Sequence, residues 1–229
     1  MENSSRKKLL EKIPESLPVI PTIDVVVFPN MVIPLLILDE KIINGINQAM
    51  EGSKKILLLA AKEQPDGYSG PIGIQDLHKI GTITTIMRVM NLPDGGIKIL
   101  TQGLHRAEVE ELSSDDNYLS AKVKIIDFDS KNINDDEIEN KIKNIINLVE
   151  KLSSTGKIFG PDFQVLLSQM NDSERIAEFI ISHLSLDTKQ AQELLEQTNI
   201  SGLLDKIEEH LNNEIQITSV QDAIQSNTR

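Results

Sequence analysis

Residues 17–38 read LPVIPTIDVVVFPNMVIPLLIL, the most apolar stretch of the chain. Val25, Val26, Val27 and Phe28 form a β-branched and aromatic run, which predicts a strand. Met31 to Leu38 form a second such run. Between them, Phe28-Pro29-Asn30-Met31 is a tight link. Pro29 fixes its own φ and pushes Phe28 towards extended geometry, and Asn30 tolerates the left-handed region. Pro34 has no amide proton for a ladder, so its strand is expected at an edge or a bulge. Two strands this apolar cannot face water on both sides. They are expected to open a small closed or nearly closed β-domain.

Outward from this stretch the chain changes grammar twice. Asp39 to Glu51 has helical spacing, with Ile42, Ile46, Ala49 and Met50 on one face, Asp39 as N-cap and Gly52 just past the end. Lys55 to Ala61 predicts a buried strand, Glu63 to Asp76 a loop, and Gly81 to Leu92 a long strand. Pro93-Asp94-Gly95-Gly96 is a hairpin turn, with Pro first and Gly where positive φ is needed. Ile97 to Gln102, Arg106 to Leu112 and Tyr118 to Phe128 complete the strands.

From Asn134 the period is helical. Ile138, Ile142, Ile145, Val149 and Leu152 make one stripe, capped by Asn134. Pro161 starts a helix with Phe163, Leu166, Leu167 and Met170 inward. Asp172 or Ser173 starts a third helix with Ile176, Ile180, Ile181 and Leu184. Asp187 or Thr188 precedes a fourth with Ala191, Leu194 and Leu195. A last helix from Ser201 carries Leu204, Ile207, Leu211 and Ile215. Val220 and Ile224 continue its apolar row up to Arg229 without a stop signal. The expectation is that the chain was cut, or that this helix reaches beyond its own bundle.

The order of motifs resembles the amino-terminal domain of the bacterial Lon ATP-dependent protease family. The family pattern LP-x-x-P-x-x-D-x-V-x-F-P-G-M-x-x-P-L is matched at Leu17, Pro18, Pro21, Asp24, Val26, Phe28, Pro29, Met31, Pro34 and Leu35. Asn30 stands where the family has glycine. Gly81, Leu92, Pro93, Asp94, Gly95, Lys98, Gly103, Arg106 and Ala107 match two further blocks, and ERIAEFIISHLSLDTKQAQELLE resembles the family's helical segment. The resemblance implies an α+β fold: a PUA-like six-stranded β-barrel over 17–130, then an α-helical bundle over 131–229 ending in a long helix that leads to an ATPase module. Residues 1–16 are expected to be a flexible N-terminus.

The resemblance also implies function. It points to recognition of unfolded, damaged or degron-bearing proteins for degradation, and to partnership with other Lon subunits in a hexamer. The family's Ser–Lys dyad, and its ATP and Mg, belong to modules outside this segment. No catalytic, cofactor or metal residue is therefore carried over, and the chain alone is expected not to be an enzyme. The alternatives are a stand-alone adaptor of the same family, or an interaction and assembly module.

Composition agrees with a protein-binding role. The 229 residues carry a formal net charge of -12, which repels phosphate backbones and anionic lipid, so nucleic acid and membrane are excluded as expected partners. There is no cysteine, which fits a reducing cytoplasm. No G-x-x-x-x-G-K-[ST] occurs, and His78, His105, His183 and His210 are dispersed without ligand spacing. Asp115-Asp116 and Asp135-Asp136-Glu137 read as a solvated turn and a helix start. What remains is apolar surface: Phe28, Pro29, Met31, Met87, Met90 and Leu92 are the candidate substrate-binding residues. Methionine is flexible and suits contact with unrelated segments. Strand alternation puts Met87 with Ile83 and Val89, and Met90 with Ile86 and Leu92.

Overall fold

The structure is a computed structural model describing residues 13–65, 70–128, 134–155 and 159–227. The expected flexible N-terminus lies outside these residues up to residue 12, as does the last step of the final helix to Arg229. The described residues fall into two compact units. One lies within Met1–Ile126 together with Asp187–Leu195, the other within Asp127–Leu186 together with Glu196–Arg229.

The first unit is built on six strands: β1 (Ser16–Thr22), β2 (Val32–Ile37), β3 (Lys55–Ala60), β4 (Ile80–Asn91), β5 (Ile97–Ser114) and β6 (Leu119–Ile125). Their order is β2-β5-β4-β3-β1-β6, and β6 also pairs with β5. Six strands are present, but they do not form one closed six-stranded barrel. The ladders run round five strands, and β2 hangs from β5 as an edge, where Pro34 is tolerated. β5 is a single 18-residue strand rather than two. Its first half pairs with β2 and its second half with β6.

β1 corrects the sequence reading. The strand lies before Val25–Phe28, over Ser16–Thr22, in spite of Pro18 and Pro21. Its first residues pair with β6 only, and Val19–Thr22 pair with β3 only. Each proline therefore has a ladder partner on one side alone, and its missing N–H is left on the other. Val25–Phe28 is no strand. It runs between β1 and β2 without a ladder, its backbone held by threonine hydroxyls: Thr22 donates to the Val25 carbonyl at 2.7 Å and Thr82 to that of Val27. Val26, Val27 and Phe28 are nevertheless buried.

The expected tight link is present. Met31 N–H donates to the Phe28 carbonyl at 3.2 Å, and Asn30 has φ 64°. The turn presses on β5 at Gly103, where a Cβ would lie 2.2 Å from the Phe28 carbonyl oxygen. No other residue fits without moving backbone.

β3 explains its own unbroken apolar run. Ile56 and Leu58 join one core with Ile20, Ile86, Ile97 and Ile99. Leu57 and Leu59 join a second with Leu17, Val19, Ile83 and Ala107. Helix α1 (Glu40–Glu51) adds Ile46 and Ala49 to the first core. It is capped by Asp39, which accepts from Ile42 N–H at 3.0 Å.

The helical unit contains α2 (Asp135–Ser153), α3 (Pro161–Ser168), α4 (Ser173–Ile181) and α6 (Ile200–Asn227). Asn134 and Asp172 cap α2 and α4 as expected. Ile145, Val149 and Leu152 of α2, and Leu204, Ile207 and Leu211 of α6, are fully buried, and the two helices pack together. Leu166, expected inward on α3, is exposed. Lys141 ties α2 to α6 by donating to Asp205 at 2.6 Å and to Ser201 at 2.7 Å. Burial pulls its pKa down, but the hydrogen bonds to Asp205 and Glu137 outweigh it and the net shift is upward. The remaining helix, α5 (Thr188–Leu195), belongs to the sheet unit. Gln192 donates to the Ile80 carbonyl at 3.0 Å. The buried Arg106 guanidinium donates to the Leu195 carbonyl at 3.0 Å, a cation at a helix C-terminus.

Candidate functional site

Three strands build one outward face. The register aligns Pro34, Leu100 and Arg88 in one row, and Leu36, Lys98 and Met90 in the next. Leu38 lies over Gly96, close to Leu92, at the hairpin end. Along β2 the inward residues Ile33 and Leu35 pack against the core, while Val32 (52%) and Leu36 (60%), and Leu38 (69%) just past the strand end, stand exposed. Arg88 and Lys98 are the charged members of these rows, on a chain whose net charge is -12.

Met87 (54%) and Met90 (42%) are both exposed, although they have opposite parity in sequence. The pairing of β4 with β5 slips between Ile86 and Arg88. One extra residue there reverses the alternation, so Val89 joins Ile86 against the core and both methionines face out. The strict alternation expected from the sequence fails at this bulge.

The remaining candidates separate. Phe28 (2%) and Pro29 are buried and do not line a surface. Both were candidates as members of the apolar stretch that opens the β-domain. The turn sits on Gly103, and Phe28 fills the interior. Met31 is half-buried against the first core, and Leu92 is half-buried at the hairpin. The sequence reading missed Val32, Leu36 and Leu38. Their signal was present: they share the parity of Pro34, the residue that marked the edge.

No titrating chemistry converges on this face. Among the described residues, no three His, Asp or Glu side chains gather to hold a metal. A cavity of about 500 Å³ opens between the segment after β3 and the start of α5. Lys62, His78 and Lys189 line it with Glu63 and Asp187, so both signs of charge meet there without a shared focus. No helix among the described residues is long and apolar enough to cross a membrane.

The described residues thus give an α+β fold whose sheet unit carries an exposed apolar face. Its family is shown by sequence: the chain belongs to the family described as the ATP-dependent protease La (LON) substrate-binding domain, matched over residues 16–213. It is similar to the Lon protease of Desulfovibrio desulfuricans, 30% identical over 220 residues, 96% of this chain and 24% of that protein. The Lon protease of Escherichia coli K12 is 32% identical over 213 residues, 93% of this chain and 26% of that protein. The chain thus spans about a quarter of the length of these relatives. Its fold resembles the N-terminal domain of a Mycobacterium avium complex Lon protease, with a TM-score of 0.63 at 20% identity over 86% of this chain and 98% of that one. The Lon N-terminal domain protein from Xanthomonas campestris gives 0.55 at 16% identity, over 84% and 96%.

Proposed function

We propose that this chain is the substrate-recognition domain of an ATP-dependent Lon serine protease, holding unfolded or degron-bearing proteins for degradation in the cytoplasm. In this reading, ATP with Mg, the Ser–Lys dyad and the contacts of a hexamer belong largely to other modules. The observation that carries it is the uncovered apolar face of Val32, Leu36, Leu38, Met87 and Met90. A folded protein gains nothing in stability by exposing adjacent large apolar side chains, and such patches mark interaction sites. Their chemistry selects segments that a native fold would have buried, not a particular sequence.

The test is retention of a reduced, carboxymethylated model protein by the chain, beside its native form. Changing Leu36→Asp and Met90→Asp together is expected to weaken retention of the unfolded form by at least about tenfold, since each apolar contact is worth about 1–2 kcal/mol. Equal retention of native and unfolded forms, or no loss in the double variant, would overturn the reading.

A further inference from the structure

The backbone of β2 carries information that its side chains do not. Gly103 N–H donates to the Met31 carbonyl at 2.9 Å. The register continues from there to Ile33↔Thr101, Leu35↔Ile99 and Ile37↔Ile97. In an antiparallel ladder, every second residue turns both backbone groups towards the partner strand. The odd-numbered residues therefore face β5, and Val32, Pro34 and Leu36 turn theirs away from it. Among the described residues β2 pairs with β5 alone. Its free edge offers the N–H groups of Val32 and Leu36 and the carbonyls of all three. The N–H that Pro34 lacks would have pointed to this side.

Open edges are usually guarded by charged side chains, prolines, bulges or very short strands, and on this edge Pro34 is the guard present, removing one donor of the row. From Met31 to Leu38 there is no charged residue. A strand laid along this edge would meet Val32 and Leu36 on its outer face, and Ile33 and Leu35, half-buried at the rim of the core, on its inner face. The matching occupant is apolar on both faces. A strand like that normally lies inside a folded protein and is accessible only when the protein is unfolded. A second copy of this chain is a poorer match, because each copy carries a net charge of -12 and like charges repel.

Resting on the substrate-recognition reading, we propose that β2 accepts an added strand. An extended, uncharged, apolar segment of an unfolded protein pairs backbone to backbone with Val32–Leu36, and its alternate side chains lie against Val32 and Leu36 on one face and Ile33 and Leu35 on the other. Main-chain hydrogen bonds supply affinity without reading sequence.

Fluorescence anisotropy of the 229-residue chain tests this with a labelled decapeptide of valine, leucine and threonine. The control is the same peptide N-methylated at four successive central residues, which blocks both of its edges and keeps every side chain. Binding of the methylated peptide is expected to be weaker by at least about tenfold, as several hydrogen bonds are lost together. Leu36→Pro, which removes an edge donor, and Leu36→Lys, which guards the edge with the backbone intact, are each expected to weaken the parent peptide severalfold while thermal melts stay cooperative. Equal binding of both peptides would overturn strand addition and leave the apolar-surface reading standing. If neither peptide nor the unfolded model protein binds, both fall. A concentration-dependent dimer in sedimentation, abolished by Leu36→Lys, would make a second copy the occupant and overturn the proposal.

Discussion

The outer face of β2 and the inner face of α6 are both apolar stripes, yet they have opposite fates. Leu204, Ile207 and Leu211 meet Ile145, Val149 and Leu152 of α2 and are lost from solvent. Val32, Leu36 and Leu38 meet no such partner among the described residues. Two stripes of similar chemistry thus divide the work: one holds a unit together, the other remains available. Hydrophobicity in the sequence identifies both, but only the placement of neighbouring elements tells them apart.

Substitutions can break or sharpen this contrast. The largest effect is expected in the covered stripe. Ile207→Ala should cost about 2–5 kcal/mol in urea unfolding, because it deletes methylenes from a fully buried site and leaves a cavity. Gly103→Ala in the sheet unit should cost about 1–3 kcal/mol, since its new methyl meets the Phe28 carbonyl and must displace backbone. Leu36→Asp, on the uncovered stripe, should change stability by no more than about 0.5 kcal/mol while weakening retention of unfolded protein. A cost near that of Ile207→Ala would show that the β2 face is structural after all.

The smallest effect concerns Glu214 on α6. Burial raises its pKa above the usual carboxylate value, against the opposing hydrogen bond from Ser185 N–H. A folded-state pKa raised above the unfolded one gives stability that is present at low pH and lost as pH rises through it. Glu214→Gln removes this dependence. The variant should therefore gain in melting temperature relative to the parent at pH 7, and the gain should shrink towards pH 4. A difference independent of pH would show that the carboxylate is not the cause.

Much of the architecture was legible in local chemistry. The Asn30 turn, the Asp39, Asn134 and Asp172 caps and the Gly95 hairpin are fixed by residues within a few positions of one another. The errors came from partners distant in sequence. Val25–Phe28 has every strand propensity, but Thr82 and the interior give it a different role. Pro18 and Pro21 concealed β1, because a strand that changes partner midway can carry prolines inside a sheet. The exposure of Met87 was foreseen as an option, but the alternation behind it was wrong: the bulge opposite Thr101 and Leu100 is a property of the pairing, not of β4 itself. On the exposed face, Met87 and Met90 were among the candidates and Leu36 and Leu38 were not. Their exposure depends on β2 having no second strand partner among the described residues, which no local pattern records.

The long β5 strand also sets an order of events during synthesis. β2 ends at Ile37 and its ladder partner among the described residues begins at Ile97. The ribosome must add about sixty residues between them, roughly 3–12 seconds at usual elongation rates. Throughout that interval the newborn β2 is itself an unpaired apolar strand, chemically alike to the segments its finished edge is suited to receive.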